Sequence, residues 1–143
     1  MKNLLCLYQA AERADISIYR FPLPETESLC IQDEGGRCHI AIDESRLCSE
    51  ADHTVHLAHE LGHCITGSFY NIHSPLDVRQ KHENRADKWA IQACVSAEAL
   101  DEAVADGCTD LWSLAERFGV TEAFMRKAVC LHVFGNLAVQ VYL

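Results

Sequence analysis

The sequence contains no apolar run approaching the roughly 18 residues a membrane-spanning helix needs, so no such span is expected. It has no basic surplus either. Its 12 lysines and arginines face 21 aspartates and glutamates, a formal net charge of −9. That balance argues against a nucleic-acid surface, because phosphate binding wants a basic stripe. No two of its 8 cysteines stand two to four residues apart, which excludes a thiolate zinc finger or ribbon. The cysteines are spread evenly, and 143 residues can hold a core without staples, so free, mostly buried thiols are expected rather than structural disulfides. Proline and glycine are few, and there is no repeat, low-complexity tract or linker. The apolar start from Met1 to Tyr8 is too short for a secretory leader and soon gives way to Glu12, Arg13 and Asp15. A cytoplasmic chain is the expectation.

What is present reads as one domain over 1–143. An N-terminal helix and small sheet occupy 1–48, a central helical part 49–96, and a C-terminal helical part 97–143. Leu4, Leu5, Leu7, Tyr8, Ala11 and Ala14 form the apolar face of a helix over 2–14. Residues 16–21 alternate as a short strand before Pro22 and Pro24. Residues 29–32 and 38–42 flank Asp33-Glu34-Gly35-Gly36, which is hairpin chemistry because glycine supplies positive φ. Ser49 and Asp52 cap a helix running to about Thr66. A loop over 67–80 is expected, then helices over 82–95, 97–105, 110–118 and 122–134. Helix, small sheet, then helices makes an α+β fold.

The chemistry is concentrated in His59-Glu60-Leu61-Gly62-His63. This H-E-x-x-H pattern places two imidazoles one turn apart on one helix face, where both reach a single zinc ion. Glu60 projects about 100° round the helix, too far to share the ion but within reach of water on it, where it serves as general base. Gly62 costs a helix roughly 0.5–1 kcal/mol relative to alanine, which makes sense where another backbone, such as a strand edge, approaches closely. Twenty residues beyond His63 comes Glu83-Asn84-Arg85-Ala86-Asp87-Lys88-Trp89-Ala90. A catalytic zinc wants three protein ligands and one open position, and Glu83 supplies the third from a neighbouring helix. Asp87, one turn on, is placed to orient a ligating imidazole. Ala86, Ala90 and Ala93 offer a small-residue stripe for close helix packing.

These two motifs resemble the ImmA/IrrE family of metallo-endopeptidases, gluzincin-like enzymes of mobile elements and stress regulons. The family pattern is H-E-x-x-H followed by E-x-x-A-N-x-F-A; here Asp87 stands for the Asn and Trp89 for the Phe. The Asp adds a charge near the metal. The likeness extends to Ile40-Ala41-Ile42-Asp43 and to Leu114-Ala115-x-x-Phe118-Gly119-Val120, covering roughly residues 38–130. It implies a predominantly helical zincin-like domain with a small antiparallel or mixed sheet and one zinc ion per chain. His59, His63 and Glu83 would be the ligands and Glu60 the catalytic residue. It also implies a narrow proteolytic task, cleavage of a partner repressor, commonly a helix-turn-helix protein encoded nearby on a prophage, conjugative element or chromosomal stress locus, to switch on transcription. The alternative is a non-catalytic metal-binding regulator that holds the repressor; retention of Glu60 speaks against it, since metal binding alone does not require that carboxylate.

Other residues carry weaker expectations. Tyr70, His73 and Tyr19 are candidate donors to the oxyanion of a tetrahedral intermediate, with Tyr70 and His73 favoured because their loop leaves the metal helix. His56 reads as a polar or substrate-facing residue, His82 as pointing away from the site, and Cys64 as core packing. The strand at 38–42 is a candidate edge for pairing with an extended substrate. Leu114 to Ala128 has a helix-turn-helix rhythm, but Arg117, Arg126 and Lys127 are balanced by Asp110, Glu116 and Glu122, so direct DNA binding is not expected.

Overall fold

The structure is a computed structural model that describes residues 2–71, 73–135 and 137. The chain begins with α1 (Lys2–Arg13), followed by strands β1 (Ser17–Arg20), β2 (Ser28–Gln32) and β3 (Cys38–Ile42). A 3-10 turn at Glu44–Arg46 leads into α2 (Glu50–Thr66), then α3 (Leu76–Cys94), α4 (Ala97–Ala105), α5 (Leu111–Phe118) and α6 (Glu122–Phe134). This is an α+β, predominantly helical zincin-like arrangement.

The sheet order is β1-β3-β2. β3 runs parallel to β1, with Ser17 opposite His39, and antiparallel to β2, with Ser28 opposite Ile42. The strand at 38–42 is therefore the centre of the sheet and not an edge. Both of its sides are already paired, so no substrate can add to it. β2 is the edge strand on the side of the H-E-x-x-H helix. The hairpin between β2 and β3 turns at Gly36, whose φ of 84° favours glycine.

Strand periodicity puts Ile40 and Ile42 on one face of β3, and both are fully buried. They meet Leu57 and Leu61 of α2, with Ile91 of α3 and Met125 of α6 completing the centre of the core. α1 closes the core with Leu7 and Ala11. α2 thus lies against the sheet on one side and against α3 on another, which fixes its roll and the direction of its histidines.

Three expectations need correcting. The loop after α2 is shorter than 67–80, because α3 already starts at Leu76, behind Pro75 at the cap position and with Asp77 in its first turn. Proline has no N–H to leave unsatisfied there, and the aspartate suits the positive helix end. Ala93 is exposed, so only Ala86 and Ala90 of the proposed stripe are buried against neighbours. Finally, Cys38 and Cys64 are joined as a disulfide. The first residue of β3 and the residue after His63 come within 5.9 Å at Cα, inside the window that permits the bond. A separation of 26 residues carries no pairing information by itself. Cys6, Cys30, Cys48, Cys94, Cys108 and Cys130 take no part in a disulfide.

Candidate metal centre and catalytic cleft

Ser49 starts the site-bearing helix. Its side chain accepts the Asp52 N–H, and Glu50 and Asp52 place negative charge in the first turn. The helix stops at Gly67, which takes the left-handed conformation (φ 66°) and turns the chain back. That turn puts the Ser68 carbonyl against the His63 ring, where it accepts from Nδ1 at 2.5 Å. With Nδ1 occupied, Nε2 of His63 faces the cleft. His59 is fixed in the same sense: its Nδ1 donates to Asp87 Oδ1 at 2.8 Å. Both rings therefore present Nε2 to one point, the tautomer choice that metal-ligating histidines need.

Glu83 arrives at that point from α3. Its Oε2 lies 2.9 Å from His59 Nε2 and its Oε1 lies 3.1 Å from His63 Nε2. The two Nε2 atoms are themselves 3.1 Å apart. Tetrahedral zinc with bonds of about 2.0–2.1 Å spaces neighbouring ligand atoms roughly 3.3 Å apart. The three side chains therefore fit a metal ion with little adjustment, and the donor set of two imidazoles and one carboxylate suits a divalent ion of zinc's borderline softness. Among the described residues these three form the only group that can hold a metal.

α3 reaches this position because Gly62 lets it. A Cβ built on Gly62 would lie 2.4 Å from the carbonyl oxygen of Ala86. The close backbone approach expected from this glycine is real, but the partner is a helix rather than a strand edge. Ala86 stands between Glu83 and Asp87, so the crossing point of the two helices also sets the depth of both carboxylates.

Electrostatics bind the cluster together. Burial works to lower the His59 pKa, but hydrogen bonds to Asp87 and Glu83 overcome it and raise it to about 10. For His63, too, burial is opposed and overcome, here by Glu83 and the Ser68 carbonyl. Glu83 is held well below the usual carboxylate range by the two imidazoles. Burial acts to raise Asp87, yet its hydrogen bond to His59 prevails and lowers it. The charge that Asp87 adds is met by Lys127 of α6, whose Nζ is 3.2 Å from Oδ2.

A pH prediction follows from these shifts. In the metal-free protein His59 stays protonated through neutral pH, and a metal must displace that proton from Nε2 to bind. Metal uptake at neutral pH should therefore release at least about one proton per ion, and affinity should rise with pH up to about 10. Calorimetric titration in buffers of different ionisation enthalpy reads the proton count; a buffer-independent heat would contradict the His59 arrangement.

Glu60 lies beside the three ligands without joining them. It is 7% exposed, and its Oε2 accepts from Ser28 Oγ on β2 at 2.7 Å. Ser28, Leu29 and Cys30 of β2 form one wall of the cleft, and Phe69 and Tyr70 another. Burial, then proximity to Glu60 and Glu83, pushes the Cys30 thiol far above its ordinary value, so it stays protonated and is no nucleophile. Tyr70 donates to Glu83 Oε1 at 2.7 Å and stacks against His82. That hydrogen bond is the main reason its phenol is pushed up to about 12, which keeps it a donor at neutral pH.

The other candidates lie elsewhere. His73 is exposed on the loop before α3, with its backbone N–H on Asn71 Oδ1, and it does not line the cleft. Tyr19 sits on the far strand of the sheet, with its hydroxyl 3.1 Å from His39 Nδ1. His56 is not a ligand; it bonds to Ser28. Sequence reasoning missed Ser28, the Ser68 carbonyl and Lys127. Only Ser68 had a local marker, the glycine that ends α2.

A helix-borne pair of imidazoles, a carboxylate from the next helix and a second, buried carboxylate beside them define a metallopeptidase-type centre. The chain matches the IrrE N-terminal-like domain over residues 11–129 and belongs to that family of metallopeptidases. A search of curated proteins found no match. No helix among the described residues is long and apolar enough to cross a membrane.

Proposed function

We propose that the chain is a zinc-dependent endopeptidase in which His59, His63 and Glu83 hold one zinc ion, Asp87 fixes the His59 ring, and Glu60 is the catalytic base. The observation that carries this reading is the convergence of three ligand atoms, within 4.8 Å of one another, beside a buried carboxylate that is not one of them. Zinc, when bound, supplies the Lewis acidity that polarises a peptide carbonyl and makes water easier to deprotonate. Glu60 takes the proton of the attacking water and passes it to the departing amine. Tyr70 exchanges its hydrogen bond with Glu83 for one to the developing oxyanion. An extended segment of the substrate pairs with β2, which among the described residues has β3 as its only partner.

The substrate in this reading is a helix-turn-helix repressor encoded nearby. A net charge of −9 is compatible with a basic DNA-binding target. The setting is the cytoplasm, where thiols are kept reduced, so the Cys38–Cys64 bond would form there only transiently.

Metal content measured by mass spectrometry tests the reading without knowledge of the substrate. Near one zinc per chain is expected, lost in both His59→Ala and Glu83→Ala. A parent protein that takes up no zinc even after reconstitution would refute it and leave a regulator that binds a repressor as the better account. With zinc established, neighbouring repressors are the first proteins to incubate with the enzyme and examine for new termini.

A further inference from the structure

The Glu60 carboxylate is held from the neighbouring strand β2. Ser28, 8% exposed on the edge strand β2, donates its hydroxyl hydrogen to Glu60 Oε2 at 2.7 Å. Ser28 Oγ also lies 3.2 Å from Nδ1 of His56, one helical turn before Glu60 on α2. A serine hydroxyl has one hydrogen. With that hydrogen committed to Glu60, His56 must be the donor in the second bond, Nδ1–H to Ser28 Oγ. The other ring nitrogen, Nε2, lies 3.5 Å from Asp52 Oδ1, and Asp52 is itself held through Oδ2 by the Cys48 N–H at 3.0 Å. The result is a chain of contacts from the first turn of α2, through β2, to the back of the catalytic carboxylate.

We propose that Ser28 is a positioning residue for Glu60, itself held in its rotamer by His56. The inference rests on the reading of Glu60 as the base of a metal-dependent peptidase. A carboxylate has two oxygens and a freely turning terminal torsion. Fixing Oε2 against Ser28 sets the plane of the carboxylate. Without the hydroxyl, Glu60 keeps its burial and its contact with the Cys30 thiol but loses the hydrogen bond that fixes Oε2. Ser28 belongs to the strand on which the substrate is proposed to pair, so occupation of that strand and alignment of the base are mechanically linked.

Acetohydroxamic acid binding to the Co²⁺-substituted protein, followed by the visible d–d absorption, tests this. The molecule chelates a metal in an open site and must give up its hydroxyl proton to a nearby base, so its affinity reports where that base points. Glu60→Gln, which removes the base, calibrates the assay and should weaken binding at least tenfold, the equivalent of about 1.4 kcal/mol. Ser28→Ala should weaken it about tenfold, as expected for losing one hydrogen bond to a charged group, while cobalt content and the ligand-free spectrum stay unchanged. Ser28→Thr, which keeps the hydroxyl and suits a strand, should bind within about twofold of the parent. His56→Ala should act in the same direction as Ser28→Ala but less, and it supplies the readout should Ser28→Ala fail to fold.

Parental affinity in Ser28→Ala together with weakened binding in Glu60→Gln would overturn the proposal while leaving the base intact. Parental affinity in Glu60→Gln as well would instead place the failure in the reading of Glu60. Parental affinity in His56→Ala would remove His56 and Asp52 from the chain of contacts.

Discussion

Glu60→Gln should keep its fold and its full complement of metal while losing peptide cleavage by about a thousandfold, the middle of the range for a positioned general base. The substitution is close to isosteric. The side-chain oxygen of glutamine can still accept from Ser28 Oγ, the 2.7 Å contact that the carboxylate makes. The residue stands next to His59 in sequence but is not one of the three residues that define the metal site, so the change removes no ligand. What glutamine cannot do is accept a proton. The decisive comparison is metal content beside the single-turnover rate of cleavage of the proposed repressor substrate. Full zinc and no cleavage would establish the base; parental cleavage would remove Glu60 from the mechanism. Such a variant would also retain bound substrate long enough to be used as a trap.

The parts of the site that the sequence displays are those confined to one helix turn. Histidines at i and i+4 share a face whatever the rest of the chain does, so His59 and His63 are legible directly. Glu83 and Asp87 are legible in a weaker sense. Their one-turn spacing says that they share a face of a helix, but only the family pattern says that this face meets His59 and His63. Ser49, read as a cap in the sequence, does accept a backbone N–H from the first turn of α2, and in the structure Ser96, Asp110 and Thr121 do the same before α4, α5 and α6. α3 was misread at its start because Pro75 makes no side-chain cap bond of that kind.

Contacts that cross the fold left no local trace. Ser28 is 32 residues from Glu60, and Lys127 is 40 from Asp87. The central place of β3 depends on the parallel alignment of β1 with β3, and the Cys38–Cys64 pairing on how α2 packs against β3; no periodicity in either strand announces these long-range choices. Asp87 shows how the two kinds of information combine. Its departure from the family's Asn is visible in the sequence, but the reason the extra charge is tolerated, Lys127 at 3.2 Å, is visible only in the fold.

Gly62→Ala should destabilise the metal-free protein by about 1–3 kcal/mol and weaken zinc binding by tenfold or more. On an isolated helix the same change would be favourable by up to about 1 kcal/mol, so the sign itself is diagnostic. The reversal comes from Ala86. A Cβ on Gly62 would sit 2.4 Å from its carbonyl oxygen and 3.0 Å from its carbonyl carbon and Cα. These are backbone atoms, so no rotamer change relieves the clash and no smaller side chain at position 86 makes room. The helices must separate, by roughly 1 Å if an ordinary contact distance is to be restored. Ala86 lies between Glu83 and Asp87, so that displacement carries off both the carboxylate that touches the two Nε2 atoms and the one that orients His59. Loss of stability and loss of metal affinity should therefore appear together. Urea unfolding of the metal-free protein reads the first, and zinc competition against a chromophoric chelator reads the second. A variant as stable as the parent with parental zinc affinity would mean that α2 and α3 do not cross at Gly62. A variant that is destabilised but binds zinc normally would separate the packing role of this glycine from the geometry of the site.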